Sequence, residues 1–370
     1  MRSRFRVLSI LALLHAYIGW RLCTGLELGI ASSILVALGL VLSCTLMPLA
    51  VFVDRIHDRI AWAGYLMMGL FSSLLVLTLL RDLVLGGLWI FSLLTPEISF
   101  YSALAVVTLG SLTSLIGLVN ARRLARVVHV DVPLKNLPTA LQGFTIAQIS
   151  DIHIGHTLKR GFLEAVVNRV NGLNPDLIAV TGDVVDGDVE RLGAHTQPLA
   201  GLKARYGSYL VTGNHEYYSG VHQWTEEFRR LGLSVLLNEH VTLEHQGATL
   251  LVAGVTDFSA ARFDPTHRSD PHAALAGAPE HASHRILLAH QPRSAHEAEK
   301  AGFHLQISGH THGGQFWPWN LFVPMQQPFI AGLDRLNDLL IYTSRGTGYW
   351  GPPKRFGAPS EITLLRLVSA

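Results

Sequence analysis

The chain has 370 residues, a net charge of +2 and only two cysteines, Cys23 and Cys44. So mild a charge carries no basic stripe of the kind nucleic-acid binders use, and with both cysteines near the start, the rest of the chain can form neither an internal disulfide nor a zinc–thiolate cluster. The length exceeds one average domain, and only nine Asp, Glu, Lys or Arg residues fall between Val7 and Asn120, so we expect a lipid-facing first third and a soluble remainder of about 230 residues, enough for its own core.

From the N-terminus, residues 7–26 are apolar apart from His15 and Arg21, and they span a bilayer if Arg21 snorkels to the interface. A cleaved signal peptide is the competing reading. The basic start (Arg2, Arg4, Arg6) suits both, but no small-residue cleavage site follows, and the spanning helix is preferred. Residues 28–53, 60–80 and 98–121 carry no charge, and each exceeds the roughly 20 residues that cross the hydrocarbon core. Residues 83–96 are too short to span; they lie in the interface or extend the third helix past Arg81 and Asp82. The expectation is an all-α membrane domain of about four helices over residues 1–121. Arg2, Arg4, Arg6, Arg55, Arg59, Arg122, Arg123 and Arg126 fall on one side of such a bundle, against Arg21 and Arg81 on the other. That bias makes the richer side, with the soluble domain, cytoplasmic. His15, Arg81 and Asp82 are too thin a polar inventory for a transport path, so the helices read as an anchor.

Residues 122–141 read as a linker in which Pro133 and Pro138 stop any continuing helix, and residues 142–370 as the soluble domain. Strand and helix alternate from there. Residues 144–150 form a strand, and 158–173 a helix with Leu163, Val166, Val167 and Val170 on one face. Residues 177–181 are a strand, 192–205 a helix, 208–211 a strand and 221–231 a helix. Residues 233–254 are strands in meander, 257–283 a long loop, and strands follow at 285–289, 304–308, 339–344 and 362–367. This order predicts a mixed α/β sandwich.

Five polar clusters close these strands: Asp151-Ile-His153, Gly182-Asp183-Val-Val-Asp186, Gly213-Asn214-His215-Glu216, His290 and Gly309-His310-Thr-His312. All offer oxygen or imidazole ligands and none offers sulfur. In an extended segment residues i and i+2 point the same way, so Asp151 with His153, and His310 with His312, are expected to reach one ion each way. Any single one of the nineteen histidines is more readily an ordinary surface residue. Five clusters of matching chemistry at strand ends, where open α/β sheets place their ligand crevices, point instead to two divalent cations side by side. Mixed N/O ligation suits Mn, Fe, Zn or Co.

In order and spacing these motifs resemble the calcineurin-like metallophosphoesterases over residues 144–368. The resemblance implies a four-layer α/β/β/α sandwich and a division of ligands. One ion would be held by Asp151, His153, Asp183 and His312, the other by Asp183, Asn214, His290 and His310, with Asp183 bridging. It implies that Asp186 fixes a ligand by hydrogen bond and that His215 faces the substrate. Attack would come from a hydroxide shared by the two ions. The run Asn214 to Gly220, the tail Ser344-Arg345-Gly346, Pro353 to Phe356, and Glu361-Ile362 are similar to the membrane-anchored YkuE/YaeI-like branch and the membrane-tethered UDP-diacylglucosamine pyrophosphohydrolases. Arg355 or Lys354 is a candidate contact for a substrate phosphate. Tyr217, Tyr218, Tyr349 and Trp350 are candidates to line the pocket, with Tyr217 and Arg355 taken as substrate-binding; core packing is the alternative for the aromatics. The glycine pattern Gly346-Thr-Gly348-Tyr-Trp-Gly351 cannot open a helix, because Pro352 and Pro353 follow it, and a dinucleotide site is excluded.

The expectation is thus a membrane-anchored dinuclear phosphoesterase acting on a diester or pyrophosphate, lipid-linked or nucleotide-linked, with membrane lipids as its other partner and no nucleic acid bound. The alternatives are a catalytically inactive signalling or scaffold protein, and a phosphomonoesterase or protein phosphatase. Substrate, native metal pair and oligomeric state are not legible in the chain.

Overall fold

The computed structural model describes residues 2–53, 55–279 and 282–370; of the flanking arginines weighed above, the side chains of Arg2 and Arg4 lie outside the described residues. The chain forms two compact units, Met1–Arg122 with Gly351–Phe356, and Arg123–Trp350 with Gly357–Ala370.

Among the described residues, the first unit has four helices, α1 (Arg2–Gly25), α2 (Ile30–Phe52), α3 (Asp58–Ile90) and α4 (Pro96–Arg122). All four are long and apolar enough to cross a membrane. Helix α3 runs on through residues 83–90, so that stretch extends the third helix and adds no span among the described residues. Arg21, Arg81 and Asp82 are paired with one another, as lipid requires of charge at depth. Asp82 accepts from Arg21 Nε and Nη2, both at 2.7 Å, and from Tyr17 Oη at 2.7 Å. Arg81 donates to Ser102 Oγ and to the Ser99 carbonyl. His15 Nε2 lies 3.0 Å from Ser43 Oγ and its ring stacks on Phe71.

Segment Gly351–Phe356 belongs to this helical unit. Lys354 Nζ donates to the Gly69 carbonyl, to Ser73 Oγ and to Ser114 Oγ. Arg355 N donates to the Gly117 carbonyl at 2.9 Å. Gly117 permits this approach, since a Cβ there would lie 2.6 Å from Lys354 Cγ.

The second unit is built on two six-stranded sheets. The first contains β1 (Arg126–Leu134), β2 (Thr145–Ile149), β3 (Leu177–Val180), β4 (Ser208–Leu210) and β5 (Ser234–Val235), completed by the last strand of the chain. Helices α5 (Arg160–Asn171), α6 (Val189–Thr196), α7 (Asn214–Tyr218) and α8 (Val221–Arg230) interleave with these strands. The second sheet contains β6 (Glu239–His245), β7 (Ala248–Gly254), β8 (His284–Leu288), β9 (Leu305–Ser308), β10 (Gly332–Leu336) and β11 (Leu339–Thr343), with α9 (Ala295–Lys300) between β8 and β9. The chain then returns to the first sheet as β12 (Glu361–Ser369), giving the orders β1-β12-β2-β3-β4-β5 and β10-β11-β9-β8-β7-β6.

The strands of this unit read as apolar runs because most are buried on both faces. Ile146, Leu177, Ala179, Leu250, Val252, Ile286, Ile307 and Leu365 pack between the sheets in one contiguous core. Leu251, Ala253, Leu287 and Ile341 point the other way, onto Ala295 and Ala298 of α9. Leu163, Val166, Val167 and Val170 are the buried face of α5, as their spacing predicts. The layering is α/β/β/α.

Two differences from the sequence reading stand out. Residues 126–134, expected as linker, are strand β1, paired in parallel with β12 over their whole length. Pro133 survives in it because β1 is an edge strand, with only one neighbour needing its hydrogen bonds. Residues 332–336, left unassigned, are β10 at the edge of the other sheet, joined to β11 through Asn337 at φ 51°.

Candidate metal centre

The five clusters leave the carboxyl ends of β2, β3, β4, β8 and β9 and converge. Asp151 and His153 follow β2, Asp183 and Asp186 follow β3, and Asn214 and His215 open α7 after β4; His290 follows β8, and His310 and His312 follow β9. The convergence is not achieved by extended backbone, as the i, i+2 argument supposed. Asp151, His153, Asp183, His310 and His312 all have φ between 52° and 70°. These are left-handed turns, sparsely populated by residues with a Cβ, and they hold strain that the surrounding fold must sustain. Glycines supply the clearance. A Cβ on Gly213 would lie 2.2 Å from Asp183 Oδ1, and one on Gly309 would lie 2.3 Å from Asp151 Oδ2.

Six donor side chains form two groups: Asp151, His153 and His312, and Asp183, His290 and His310; within each, the candidate ligand atoms lie within 4.8 Å of one another, as do those of His153, Asp186 and His215. In the first, His153 Nε2 faces His312 Nε2 at 3.1 Å, and His312 Nε2 lies 3.4 Å from Asp151 Oδ1. In the second, His290 Nε2 faces His310 Nδ1 at 3.2 Å. Asp183 Oδ2 sits between the groups, 3.1 Å from His290 Nε2 and 3.9 Å from His153 Nε2.

Hydrogen bonds fix which nitrogen of each ring turns inward. His290 Nδ1 donates to the Thr181 carbonyl at 2.7 Å, which leaves Nε2 to bind. His153 Nδ1 donates to Asp186 Oδ1 at 2.9 Å, likewise leaving Nε2. A ring nitrogen held by a carboxylate or carbonyl is how proteins orient metal-binding histidines. Asn214 Oδ1 is buried and has no hydrogen-bond partner among the described residues. An orphaned amide oxygen of that kind is costly unless a ligand completes it. The residues therefore fit a pair of divalent cations.

Electrostatics carry the same message. Burial opposes charge on Asp183, yet His290 foremost, with His215 and His153, holds its carboxyl well below the ordinary range. Burial also opposes charge on His290, but the Asp183 carboxylate outweighs it and raises that imidazole well above its usual value. His310 is pushed down to about 3 by burial and then by the charge on His290. Burial raises the Asp151 carboxyl, and it is Asp183 and Asp186 that draw positive charge into the centre, a demand that divalent cations meet.

His215 stands beside this array. Its Nδ1 lies 2.7 Å from Asp186 Oδ1, and its backbone N donates to Asp183 Oδ1 at 2.8 Å. Burial disfavours its charged form, but Asp183 and Asp186 raise it to about 9. Asp186 thus grips two rings, His153 and His215. Tyr218 and Trp350 pack edge-on against His215, with ring centroids at 5.1 and 5.7 Å.

The two residues expected to bind substrate are placed otherwise. Tyr217 is 7% exposed, with Oη bonded to His267 and its ring against Phe263; its neighbour Tyr218 is the exposed one. Arg355, in the segment that belongs to the helical unit, is 1% exposed.

One residue named in the third cluster has a role that the sequence reading does not assign. Glu216 is fully buried and accepts from Asp183 N (2.9 Å), Gly213 N (2.7 Å), Val184 N (2.7 Å) and Val185 N (3.3 Å). It ties the loop after β3 to the start of α7, so two ligand-bearing turns share one anchor. Burial, then the Asp183 charge, push its carboxyl up to about 7. Four N–H donors leave no lone pair for a proton, so this geometry holds the ionised form. A signal existed: a glutamate three positions after the glycine that caps α7, placed to reach back to that residue's N–H. The glycine pattern discarded as a nucleotide site also has a use. Gly348 N donates to the Asp151 carbonyl, and a Cβ on Gly348 would lie 2.1 Å from the Ile152 carbonyl oxygen, so the motif buttresses the Asp151 turn.

Residues 144–314 match the family model described as calcineurin-like phosphoesterase. A transmembrane protein with metallophosphoesterase domain from Danio rerio is 37% identical over 74% of this chain and 64% of its own length. An uncharacterized metallophosphoesterase from Aquifex aeolicus is 32% identical over 65% of this chain and 91% of its own length, and YkuE, an uncharacterized metallophosphoesterase of Bacillus subtilis, is 30% identical over 63% and 82%. The chain spans just under two thirds of the length of its vertebrate relatives.

Proposed function

Since this chain belongs to the calcineurin-like metallophosphoesterases, we propose that it is a membrane-anchored dinuclear hydrolase of a phosphodiester or pyrophosphate whose leaving group or retained group is lipid- or nucleotide-linked. One observation carries this reading: Asp183 Oδ2 lies between two opposed histidine pairs, with a third histidine, His215, bonded to Asp186 at its side. Asp151, His153, Asp183 and His312 would hold one ion, and Asp183, Asn214, His290 and His310 the other. Such an ion pair makes water nucleophilic at neutral pH and offsets charge on phosphoryl oxygens.

The protein's own part is orientation and proton delivery. Asp186 holds His215 through Nδ1, which turns the opposite edge of the ring, with Nε2, toward Asp183 at 3.9 Å. From there His215 donates a proton to the departing oxygen as the phosphorus–oxygen bond breaks, a contribution of about 10²–10⁴ in rate. Tyr218, Phe263 and Trp350, between 47% and 60% exposed, offer flat apolar surface beside His215. A substrate carrying an acyl chain or a base beside its phosphate suits that rim better than a small monoester.

Residues 123–125 alone join α4 to β1, so the domain stays tethered to the bilayer that the helices cross, where lipid-linked phosphates are concentrated. The arginine bias of the helix flanks supports a cytoplasmic active site. The test is turnover by the full-length protein in mixed micelles, loaded with manganese or zinc, of lipid phosphodiesters against soluble nucleotide diesters. Preference for the lipid substrates supports the proposal. Equal turnover removes the lipid assignment, and no turnover of any phosphoester by the metal-loaded protein returns the scaffold reading.

A further inference from the structure

We propose a third cation site, formed by His222, Asp264 and His267 and taking zinc or a similar borderline divalent ion. His222 lies in the first turn of α8, while Asp264 and His267 lie in the long loop between β7 and β8. Separate stretches of chain thus bring the three together. His222 Nε2 is 3.2 Å from Asp264 Oδ2, and His267 Nε2 is 4.0 Å from the same oxygen. The three candidate ligand atoms lie within 4.8 Å of one another. Donors bonded at the usual zinc distances around a tetrahedral ion stand roughly 3.4 Å apart, so small side-chain rotations bring this set to an ion.

The far side of each buried or half-buried ligand is already engaged. Asp264 Oδ1 accepts from Thr266 N at 2.9 Å and from Thr266 Oγ1 at 2.6 Å, which reserves Oδ2 for the imidazoles. His267 Nδ1 lies 2.9 Å from Tyr217 Oη. With Nδ1 donating to that oxygen, Nε2 presents its lone pair toward Asp264, the outer partnership that orients metal-binding histidines elsewhere. Two imidazoles and a carboxylate, with a fourth position open to water, form a donor set zinc commonly takes. A plain ion pair needs only one imidazole on the carboxylate; here two are turned to one oxygen.

The site has a consequence for the neighbouring centre. Phe263, next to Asp264, packs on Tyr218 at 5.4 Å, and Tyr218 packs on His215 at 5.1 Å. An ion at Asp264 pins the loop that carries Phe263 to α8 and so orders the aromatic rim.

The experiment counts metal. Full-length protein in detergent is stripped with chelator, dialysed against micromolar free zinc, and analysed for zinc per chain. The His222 side chain is 65% exposed, so His222→Ala leaves the fold intact, and Asp264→Asn keeps the Thr266 hydrogen bonds through its remaining oxygen. The expected result is one zinc fewer per chain in each variant than in the wild type, with a matching loss of cobalt d–d absorption when cobalt replaces zinc. Equal zinc content in wild type and both variants overturns the proposal, as does a wild-type ion that is lost at micromolar free zinc. Because the comparison is a difference of one ion, it stands whether or not the dinuclear centre fills.

Discussion

Replacing Glu216 by glutamine tests the claim that one buried carboxylate organises the centre. Glutamine keeps the shape but turns one oxygen into an NH₂ group. Whichever way the amide lies, that group faces two backbone donors: Asp183 N and Gly213 N on one side, or Val184 N and Val185 N on the other. Two charge-assisted hydrogen bonds are lost, each contributing about 1.5–3 kcal/mol, and two buried N–H groups are left unpaired. The loss is therefore about 3–6 kcal/mol, a large share of the 5–15 kcal/mol that usually separates folded from unfolded. For a domain of this size each kcal/mol moves the melting temperature by about 2–4 °C, so a fall of roughly 6–24 °C is expected. The assay is thermal unfolding of the full-length protein in detergent, followed by tryptophan fluorescence, with bound metal measured on the same samples. Metal occupancy should fall as well, because Asp183 and Asn214 sit on the two turns Glu216 joins. A variant that melts with the wild type and keeps its metal would refute the reasoning.

His215→Ala is expected to retain the full complement of ions, since that ring lies outside both ligand groups, yet to lose about 10²–10⁴ in kcat; loss of metal with activity would reassign His215 as a ligand. Gly213→Ala places a Cβ 2.2 Å from Asp183 Oδ1, so metal analysis should find depleted ions even where circular dichroism is unchanged. Chelation should abolish hydrolysis and lower the melting temperature, and ions at a thousandfold excess over Kd should restore about 4 kcal/mol per site. The pH dependence of stability should carry a contribution from His284 and His304. Burial lowers the pKa of both in the folded state, and for His304 the charges of His284 and Arg285 add to this. Both are therefore neutral in the fold, while the unfolded chain takes up the protons more readily. Their contribution is complete above pH 6.5 and is lost as pH falls from there toward the lowered folded values. Melting temperatures at pH 7.5 and 5.5 should converge in the His284→Gln variant relative to the wild type; an unchanged difference would dismiss this account.

The chain by itself determined the four apolar helices, most of the central strands and the types of side chain that gather as the two candidate donor groups. Buried strands such as β3 and β7 must be apolar throughout, and metal chemistry restricts which residues may follow them, so both leave a plain mark in sequence. Edge strands leave a weaker one. β1 and β10 are half-exposed and carry Arg126, Asp131, Pro133, Asp334 and Arg335, so their pattern does not stand apart from loop. The tertiary structure alone decided how the ligands meet. Asp151 and His153 converge through left-handed turns whose strain only the packed fold can sustain, and no local rule favours that conformation for either residue. It also decided that Glu216 ties two turns together, and that Lys354 and Arg355 return to the helical unit as buried groups. Those outcomes depend on partners far away in the chain, and residue type and spacing do not record such distances.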